Sequence, residues 1–435
     1  MKTDVAIVGG GMVGASLALG LRGLGLSVLL VEGVTPGSSA QPSFDDRTTA
    51  LGNASRRIFE SLGVWPDIAP QAAGIRTIHV SDAGRFGFAR LRAQEQGIDA
   101  FGYVAANRVI GTALWRQLSV SPDIVLRVPA KAESIEITPD GARLALVTDA
   151  GGREDVDARL VVAADGAHSA VRSAAEIDAA VEDYDQVAIV ANVAAERPHD
   201  GTAYERFTPS GPLAVLPLFD GSYGVIWSCT PADAATVLSF DDGSYLRELQ
   251  TRFGWRAGKF VRAGRRASYP LKLTRAATTT ATRTVLIGNA AQALHPVAGQ
   301  GFNLGLRDAA MLAEVIANAG PGVDVGSPDL LQRFSKWREA DRTGVVRFTD
   351  GLVKLFGDRR PGMGILRNLG LLMFDLAPPA KSALARVSAG FGGPSPRLAR
   401  GLPVREAVGS TRAGEDVGGA RVRPSAAAGP GGGQS

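Results

Sequence analysis

The chain opens on an unbroken apolar run, Val5-Ala6-Ile7-Val8, of the length of a strand buried on both faces. A glycine-rich turn follows, then apolar residues at helical spacing over 13–24, then a second apolar strand over 27–31 that ends at Glu32. Two strands joined by so short a helical crossover run parallel. After a long loop, 33–46, helical spacing returns over 48–62 and again over 107–118. Alternation at 134–137 and 144–147 and an apolar run at 160–164 predict three further strands. From 186 the character changes, and four short runs at 187–193, 203–207, 213–217 and 223–228, punctuated by Pro and Gly, predict an antiparallel sheet. A strand over 284–288 then feeds a long helix over about 302–319, and helices dominate 330–384. The Ala/Gly/Ser/Pro-rich end, 424–435, predicts disorder.

Composition narrows the class. Apolar residues make up 45% and charged residues 21% of 435, the balance of a soluble globular chain with room for two or three packed units. The lone cysteine, Cys229, excludes an intramolecular disulfide and fits a reducing compartment, so a cytoplasmic location is expected. The first strand follows the opening residues at once, so no signal peptide is expected. The most apolar late stretch, 365–377, is interrupted by Arg367 and Asp375 and falls short of the roughly 20 residues that a spanning helix needs. The net charge of +4 is too small to indicate a nucleic-acid binder, and no metal site is expected. Charge is unevenly placed, however: 354–400 holds eight basic and two acidic residues among apolar ones. That segment reads either as a surface for an anionic membrane or a partner complex, or as a solvated helical layer.

Four motifs carry the chemistry. Gly9-Gly10-Gly11-Met12-Val13-Gly14 places Gly9, Gly11 and Gly14 in the spacing of a dinucleotide turn. Gly9 permits the tight turn, Gly11 lets backbone approach a diphosphate, and Gly14 lets the helix pack on the sheet. Glu32 stands where a carboxylate accepts from ribose hydroxyls. Asp45-Asp46-Arg47-Thr48 is expected to open a helix, with Asp46 as its cap and Arg47 within reach of a diphosphate or ring. Asp165-Gly166-Ala167-His168-Ser169-Ala170-Val171-Arg172 follows a buried strand; its Asp suits cofactor hydroxyls while Ser and Arg hold the turn, or else Asp165 and Ser169 serve only as helix caps. The longest motif runs from Gly288-Asn289 through His295-Pro296-Val297-Ala298-Gly299-Gln300-Gly301-Phe302-Asn303 to Asp308. Its glycines allow backbone to lie flat on a ring, and the helix N-terminus beyond them favours negative charge at that ring's edge.

These segments resemble the single-component flavin-dependent aromatic hydroxylases, and most of all the ubiquinone-biosynthesis hydroxylases of the 2-octaprenyl-6-methoxyphenol hydroxylase type. The resemblance covers about 4–345, and Asn289 replaces the Asp that many flavin hydroxylases carry after Gly288. It implies an α/β fold: a Rossmann-like FAD-binding domain from 1–75, 100–180 and 275–350, an inserted antiparallel-sheet substrate domain from 76–99 and 181–274, a helical region 351–400 and a flexible tail 401–435. It further implies that Gly9, Gly11, Met12, Val13, Gly14 and Glu32 hold the ADP half of FAD. Arg47, Arg108, Asp165 and Asn289 would contact the chain leading to the ring, and Pro296, Gly299, Gln300, Gly301, Phe302 and Asn303 would border the ring itself. The implied reaction is hydroxylation of a polyprenylated phenol by O2, with NAD(P)H as a transient electron donor and a flavin hydroperoxide as oxidant. A base at the phenol would help; His295, with the Pro296 backbone beside it, is the nearest candidate in sequence, although a histidine before proline in a glycine-rich loop more often serves structure. A prenyl tail would bring the protein to the inner face of the membrane, through 354–400.

Other readings are a hydroxylase of another small aromatic, a halogenase, and a non-catalytic prenyl-lipid carrier. The Gly-Trp-x-Trp-x-Ile-Pro run of halogenases is missing from the sequence, and a carrier has no use for Glu32, Arg47 and the 299–303 loop.

Overall fold

The opening apolar run becomes β1 (Lys2–Val8), inside an eight-stranded sheet. The computed structural model describes residues 1–38, 47–149, 151–294, 299–320, 322–357 and 395–405, with scattered positions between 360 and 393. β1 lies between β2 (Val28–Val31) and β11 (Arg153–Ala163) and is parallel to both, with Ile7 opposite Leu30 and Val162. β8 (Ile124–Arg127) and β19 (Thr284–Leu286) extend the parallel run to the order β19-β11-β1-β2-β8. Antiparallel strands finish the sheet: β18 (Thr280–Ala281) on β19, and β10 (Ala142–Thr148) on β11 with β9 (Ala130–Ile137) beyond it. Val5 and Ile7 pack with Leu17, Leu114 and Leu306 on one face, while Ala6 and Val8 pack with Leu144, Val156 and Val171 on the other. Burial on both faces is why the strand reads as continuously apolar.

The first face carries α1 (Met12–Gly20), α4 (Asn107–Ser119) and the almost wholly buried α8 (Gln300–Ala317). α1 ends earlier than its spacing predicts, because Gly23 and Gly25 take φ of +73° and +74° and turn the chain back. Residues 48–62 depart further from expectation. Thr48–Gly52 forms a strand, β3, paired antiparallel with β7 (Gly102–Ala106), which also pairs with β4 (Ala73–Ile75). Helix α2 (Asn53–Ser61) begins only afterwards and leads to the short α3 (Trp65–Ile68). Two β-branched threonines favour the ladder, and Thr49 Oγ1 donates to Asn107 Oδ1 at 2.7 Å. Arg47 therefore precedes a strand, not a helix, and the expected cap Asp46, with Asp45, lies outside the described residues.

A nine-stranded sheet stands apart from the first. Its order is β20 (Gln292–Ala293), β17 (Ala267–Ala276), β12 (Ala179–Ala195), β15 (Tyr223–Cys229), β14 (Gly211–Pro217), β13 (Thr202–Thr208), β5 (Thr77–Asp82) and β6 (Phe88–Arg92), with β16 (Phe260–Ala263) also on β12. Neighbours are antiparallel except β13 and β5, which run parallel with Tyr204 opposite His79. One face lies under α6 (Pro231–Ser239) and α7 (Asp242–Phe253), where Ile189, Val215 and Trp227 meet Leu249 and Phe253. On the opposite face Val190, Ile226 and Ala214 share one register row, with Leu216 and Gly224 in the next. Val190, Ile226, Ala214 and Leu216 are only half-buried. An apolar sheet face left half-open in this way is a pocket wall.

The short α5 (Ala170–Ala174) follows β11, and the 30-residue α9 (Pro328–Gly357) packs on α8. No described helix is long and apolar enough to cross a membrane. The expected helices beyond 357 fall mostly, and the tail 406–435 wholly, outside the described residues.

Candidate functional site

The site begins where β1 stops. Gly9 has φ +103°, and a Cβ there would lie 2.4 Å from the Ala164 carbonyl oxygen. A Cβ at Gly14 would lie 2.0 Å from the Gly9 carbonyl oxygen. Only glycine serves at either position, one for conformation and one for contact. Gly11 caps α1 without a side-chain bond, and no acid stands in that helix's first turn. The N–H groups and the positive end of the dipole are thus kept for an anion. Glu32 steadies the turn: its Oε2 accepts from the Gly10 N–H at 2.7 Å and its Oε1 from the Val34 N–H at 2.9 Å. Trp115 Nε1, on α4, donates to the Gly10 carbonyl at 3.1 Å, and a Cβ on Gly10 would strike that indole. Sequence reasoning missed Gly10 and Trp115; the uninterrupted Gly9-Gly10-Gly11 triplet was the one local signal.

A second helix N-terminus stands beside the first. Val13 touches the positions where Cβ atoms of Gly288 and Gly305 would be, at 3.2 and 3.1 Å, and Gly20 meets Ala313 in the same way at 3.1 Å. α1 and α8 therefore run side by side and parallel, with their N-termini at one end. α8 starts five residues before Gly305 and α1 one residue before Val13, so α8 reaches about 6 Å further out. Gly299, at φ +60°, caps α8, again with no side-chain cap and no acid in the first turn. Two positive helix ends, offset by that step, suit a diphosphate and, beyond it, a ring edge that gains negative charge.

Three polar anchors hold the turns together. Asp165 Oδ2 accepts from the N–H groups of Ala170 and Val171 at 2.8 and 3.3 Å, and Ser169 Oγ accepts from the Arg172 N–H at 2.9 Å. Arg172 donates to the carbonyls of Ala167 and Ala290, tying this turn to the one at Gly288. The buried Asp308 accepts through Oδ2 from the Gly288 N–H at 3.0 Å and from Gln292 Nε2 at 2.9 Å, and through Oδ1 from Arg338 Nε at 2.6 Å. Arg338 also pairs with Asp341, and Arg307 reaches Asp341 at 2.8 Å. Burial alone would raise the Asp341 carboxyl; the guanidinium groups of Arg307 and Arg338 hold it below its ordinary value. Burial likewise opposes the charge of Arg338, yet Asp308 and Asp341 raise its pKa. Asn303 is the third anchor. Its Oδ1 accepts from the Gly52 N–H and Ser55 Oγ at 2.8 and 2.6 Å, and its Nδ2 donates to the Ala50 and Gly299 carbonyls at 2.8 and 2.7 Å.

The remaining expected positions fall as follows. Arg47 lies over the Tyr269 ring at 4.7 Å, which joins the start of β3 to the second sheet. Arg108 and Asn289 are exposed, Gln300 is buried, and Phe302 stacks on Phe59 with centroids 6.2 Å apart. A Cβ at Gly301 would meet open space. His295 and Pro296 lie outside the described residues.

These residues fit a flavin dinucleotide. The clearest mark is Asp165 Oδ1, which is buried and has no partner among the described residues while its companion oxygen caps α5. A buried acceptor of that kind calls for a hydroxyl donor. Asp165→Asn keeps an oxygen for the cap, so the apoprotein should melt near wild type while FAD binds roughly ten-fold more weakly, about 1.4 kcal/mol. Calorimetric titration reads this directly, and an unchanged affinity would show that the orphan oxygen meets no ligand.

Comparison with known proteins agrees. The model of a family described as "FAD binding domain" matches residues 2–349. The ubiquinone hydroxylase UbiL of Rhodospirillum rubrum is 36% identical over 405 residues, 92% of this chain and 93% of that protein. The 3-demethoxyubiquinol 3-hydroxylase of Escherichia coli is 33% identical, over 89% of this chain and 99% of its own. Among solved structures, p-nitrophenol 4-monooxygenase PnpA from Pseudomonas putida superposes with a TM-score of 0.74 at 21% identity, covering 90% of this chain and 99% of that one, and shares the fold.

Proposed function

The chain belongs to the FAD binding domain family and is an FAD-dependent monooxygenase; from that premise we propose that it hydroxylates the aromatic ring of a polyprenylated phenol in ubiquinone biosynthesis, with O2 as oxidant and NAD(P)H as electron donor. The observation that carries this reading is the half-open apolar face of Val190, Ala214, Leu216 and Ile226, bound to the dinucleotide side through Arg47 and Tyr269. It offers a wall for a ring with few polar atoms, and the two relatives are named a ubiquinone hydroxylase and a 3-demethoxyubiquinol 3-hydroxylase.

FAD, when bound, would supply the activation of O2 by electrons from NAD(P)H that ring hydroxylation requires. The protein's own part is binding, orientation and exclusion of water. In this reading α1 and the backbone of Gly9, Gly11, Met12, Val13 and Gly14 receive the diphosphate, and Glu32 accepts from a ribose hydroxyl. Arg47, Arg108, Asp165 and Asn289 meet the chain towards the ring, Asp165 through its unpartnered oxygen. Gly299, Gln300, Gly301, Phe302 and Asn303 bring the α8 N-terminus to the ring edge. The Asn303 side chain is committed to the scaffold, so its contribution there is made by backbone. His295 would take the proton from the phenol oxygen, with the Pro296 backbone alongside. The domain division follows the same reading: 1–75, 100–180 and 275–350 for the cofactor, 76–99 and 181–274 for the substrate, and 351–400 as a helical region before the tail.

A prenyl tail is at home in lipid, so the protein would be cytoplasmic and in contact with the inner membrane face or a biosynthetic complex. The expected contact segment, 354–400, lies mostly outside the described residues. The reading is tested by expressing the chain in bacterial strains that each lack one ring hydroxylase and identifying the quinone pool by mass spectrometry. Restoration of quinone in one strain is expected; accumulation of the blocked precursor in every strain would refute it.

A further inference from the structure

The strap that runs from the last turn of α7 to β17, residues 252–266, contains six basic residues and no acidic one. Three of the six are matched from outside it: Arg252 by Glu248 at 2.8 Å, Lys259 by Glu196 at 4.0 Å and Arg266 by Asp242 at 3.0 Å. Arg256, Arg262 and Arg265 make no ion pair among the described residues. Arg256 also stands close enough to Arg206 that, after burial, its like charge helps to lower the pKa of that neighbour. The patch repels itself and favours an anion.

Apolar groups stand among these charges. Trp255 is 67% exposed and Val261 is 48% exposed, while Ala257 and Phe260 are buried and anchor the strap on the sheet. A lone exposed apolar residue is ordinary. An exposed indole in a strap that also carries three unmatched arginines is the composition of a surface that sits at a lipid headgroup layer, where the ring enters the interface and the guanidinium groups meet phosphates. Beside the strap, against the ends of α6 and α7, opens a cleft of 420 Å³ bordered by Leu238, Asp242, Ala263, Gly264, Arg265 and Arg266, in which Arg265 is the cation without an ion-pair partner among the described residues.

Its place in the fold is equally specific. The Gly264 N–H donates to the Asn192 carbonyl at 2.8 Å, and Asn192 shares a register row with Gly224 and Leu216, at the rim of the half-open apolar face. We infer that residues 255–266 form a docking strap that seats the protein on an anionic phospholipid surface, with Trp255 in the headgroup layer and Arg256, Arg262 and Arg265 on lipid phosphates. The purpose of the strap, delivery of a membrane-held phenol to the adjoining face, rests on the proposed substrate; the lipid contact stands on the strap alone. An acidic protein would match the arginines but give Trp255 and Val261 nothing to enter.

The test uses the FAD-loaded full chain and sedimentation with vesicles of phosphatidylcholine, with or without phosphatidylglycerol. Wild type should sediment with the anionic vesicles only, and less at high salt. Arg256→Gln/Arg262→Gln/Arg265→Gln should lower partitioning roughly a hundred-fold, at about five-fold per basic residue lost. Trp255→Ser should lower it several-fold. Both variants should keep their flavin and hydroxylate a short-chain, water-soluble phenol as wild type does; a wild type that hydroxylates no such phenol would count against the substrate reading and not against the strap, whereas variants that lose the flavin would count against a surface role for these residues. Wild type left in the supernatant, variants that sediment like wild type, or binding to polyglutamate but not to phosphatidylglycerol would each overturn the inference, the last in favour of an acidic partner.

Discussion

Gly14→Val is expected to give a folded but colourless protein. The new Cβ would start 2.0 Å from the Gly9 carbonyl oxygen and 3.0 Å from the Ala164 side chain, and neither can swing aside as a flexible side-chain end could. Either α1 lifts from the sheet or the turn opens, and both displace the N–H groups proposed to receive the diphosphate. Overpacking of this kind costs about 1–3 kcal/mol even where neighbours can move, and here the obstacle is backbone. FAD affinity should fall at least about a hundred-fold. Gly301→Ala is the informative contrast, because its Cβ would meet nothing within 4 Å. The apoprotein should melt like wild type, and FAD should still bind more weakly, since the methyl group would intrude on the ring and not on the protein. If Gly14→Val retained flavin at wild-type affinity, the turn would not be the diphosphate cradle.

Asp308→Ala should destabilise the protein most among changes that leave the glycines intact. Arg338, 1% exposed on its side chain, would lose its Asp308 partner, and the Gly288 N–H would lose its acceptor. Breaking a buried ion pair from one side costs about 3–5 kcal/mol, a large part of the roughly 5–15 kcal/mol that holds a typical fold. The double change Asp308→Ala/Arg338→Met removes the under-paired guanidinium, leaves Asp341 its Arg307 partner, and should recover part of the loss, because an apolar side chain of similar reach tolerates that interior. Chemical denaturation of the apoproteins measures both. A single variant as stable as wild type, or a double variant no better than the single, would show that the network does not hold the Gly288 turn.

What the sequence revealed and what it hid divide by range. β1, α1, β2 and the glycines between them were legible because the constraints are local: a strand buried on both faces, a helix that must touch its own turn, and a carboxylate at the next strand's end. The entry to α8 was legible for the same reason. The strand β3 was not, since its partner β7 lies some fifty residues on and Thr48–Gly52 fits either a ladder or a helix until that partner is present. Nor was Trp115, whose bond to Gly10 spans 105 residues, or Arg338, 30 residues beyond Asp308. No periodicity announces the parallel pairing of β5 with β13; the grouping of 76–99 with the sheet domain came from the family resemblance, which implied an antiparallel sheet. Asn303 and Phe302 show a subtler limit. Their positions in the loop suggested ligand contacts, whereas their side chains serve the scaffold, the amide through four hydrogen bonds and the ring against Phe59. A motif gives the place of a residue; which groups its side chain meets depends on segments that the motif does not contain.

The most direct test of the whole account supplies the purified, FAD-loaded protein with NADPH, a short-chain prenyl phenol and isotopically heavy O2. A yellow protein is expected, with a product that carries a single heavy oxygen, as a new ring hydroxyl, for each NADPH consumed productively. A protein that does not retain the flavin, or a flavin-loaded protein whose product is unlabelled or absent, would contradict it.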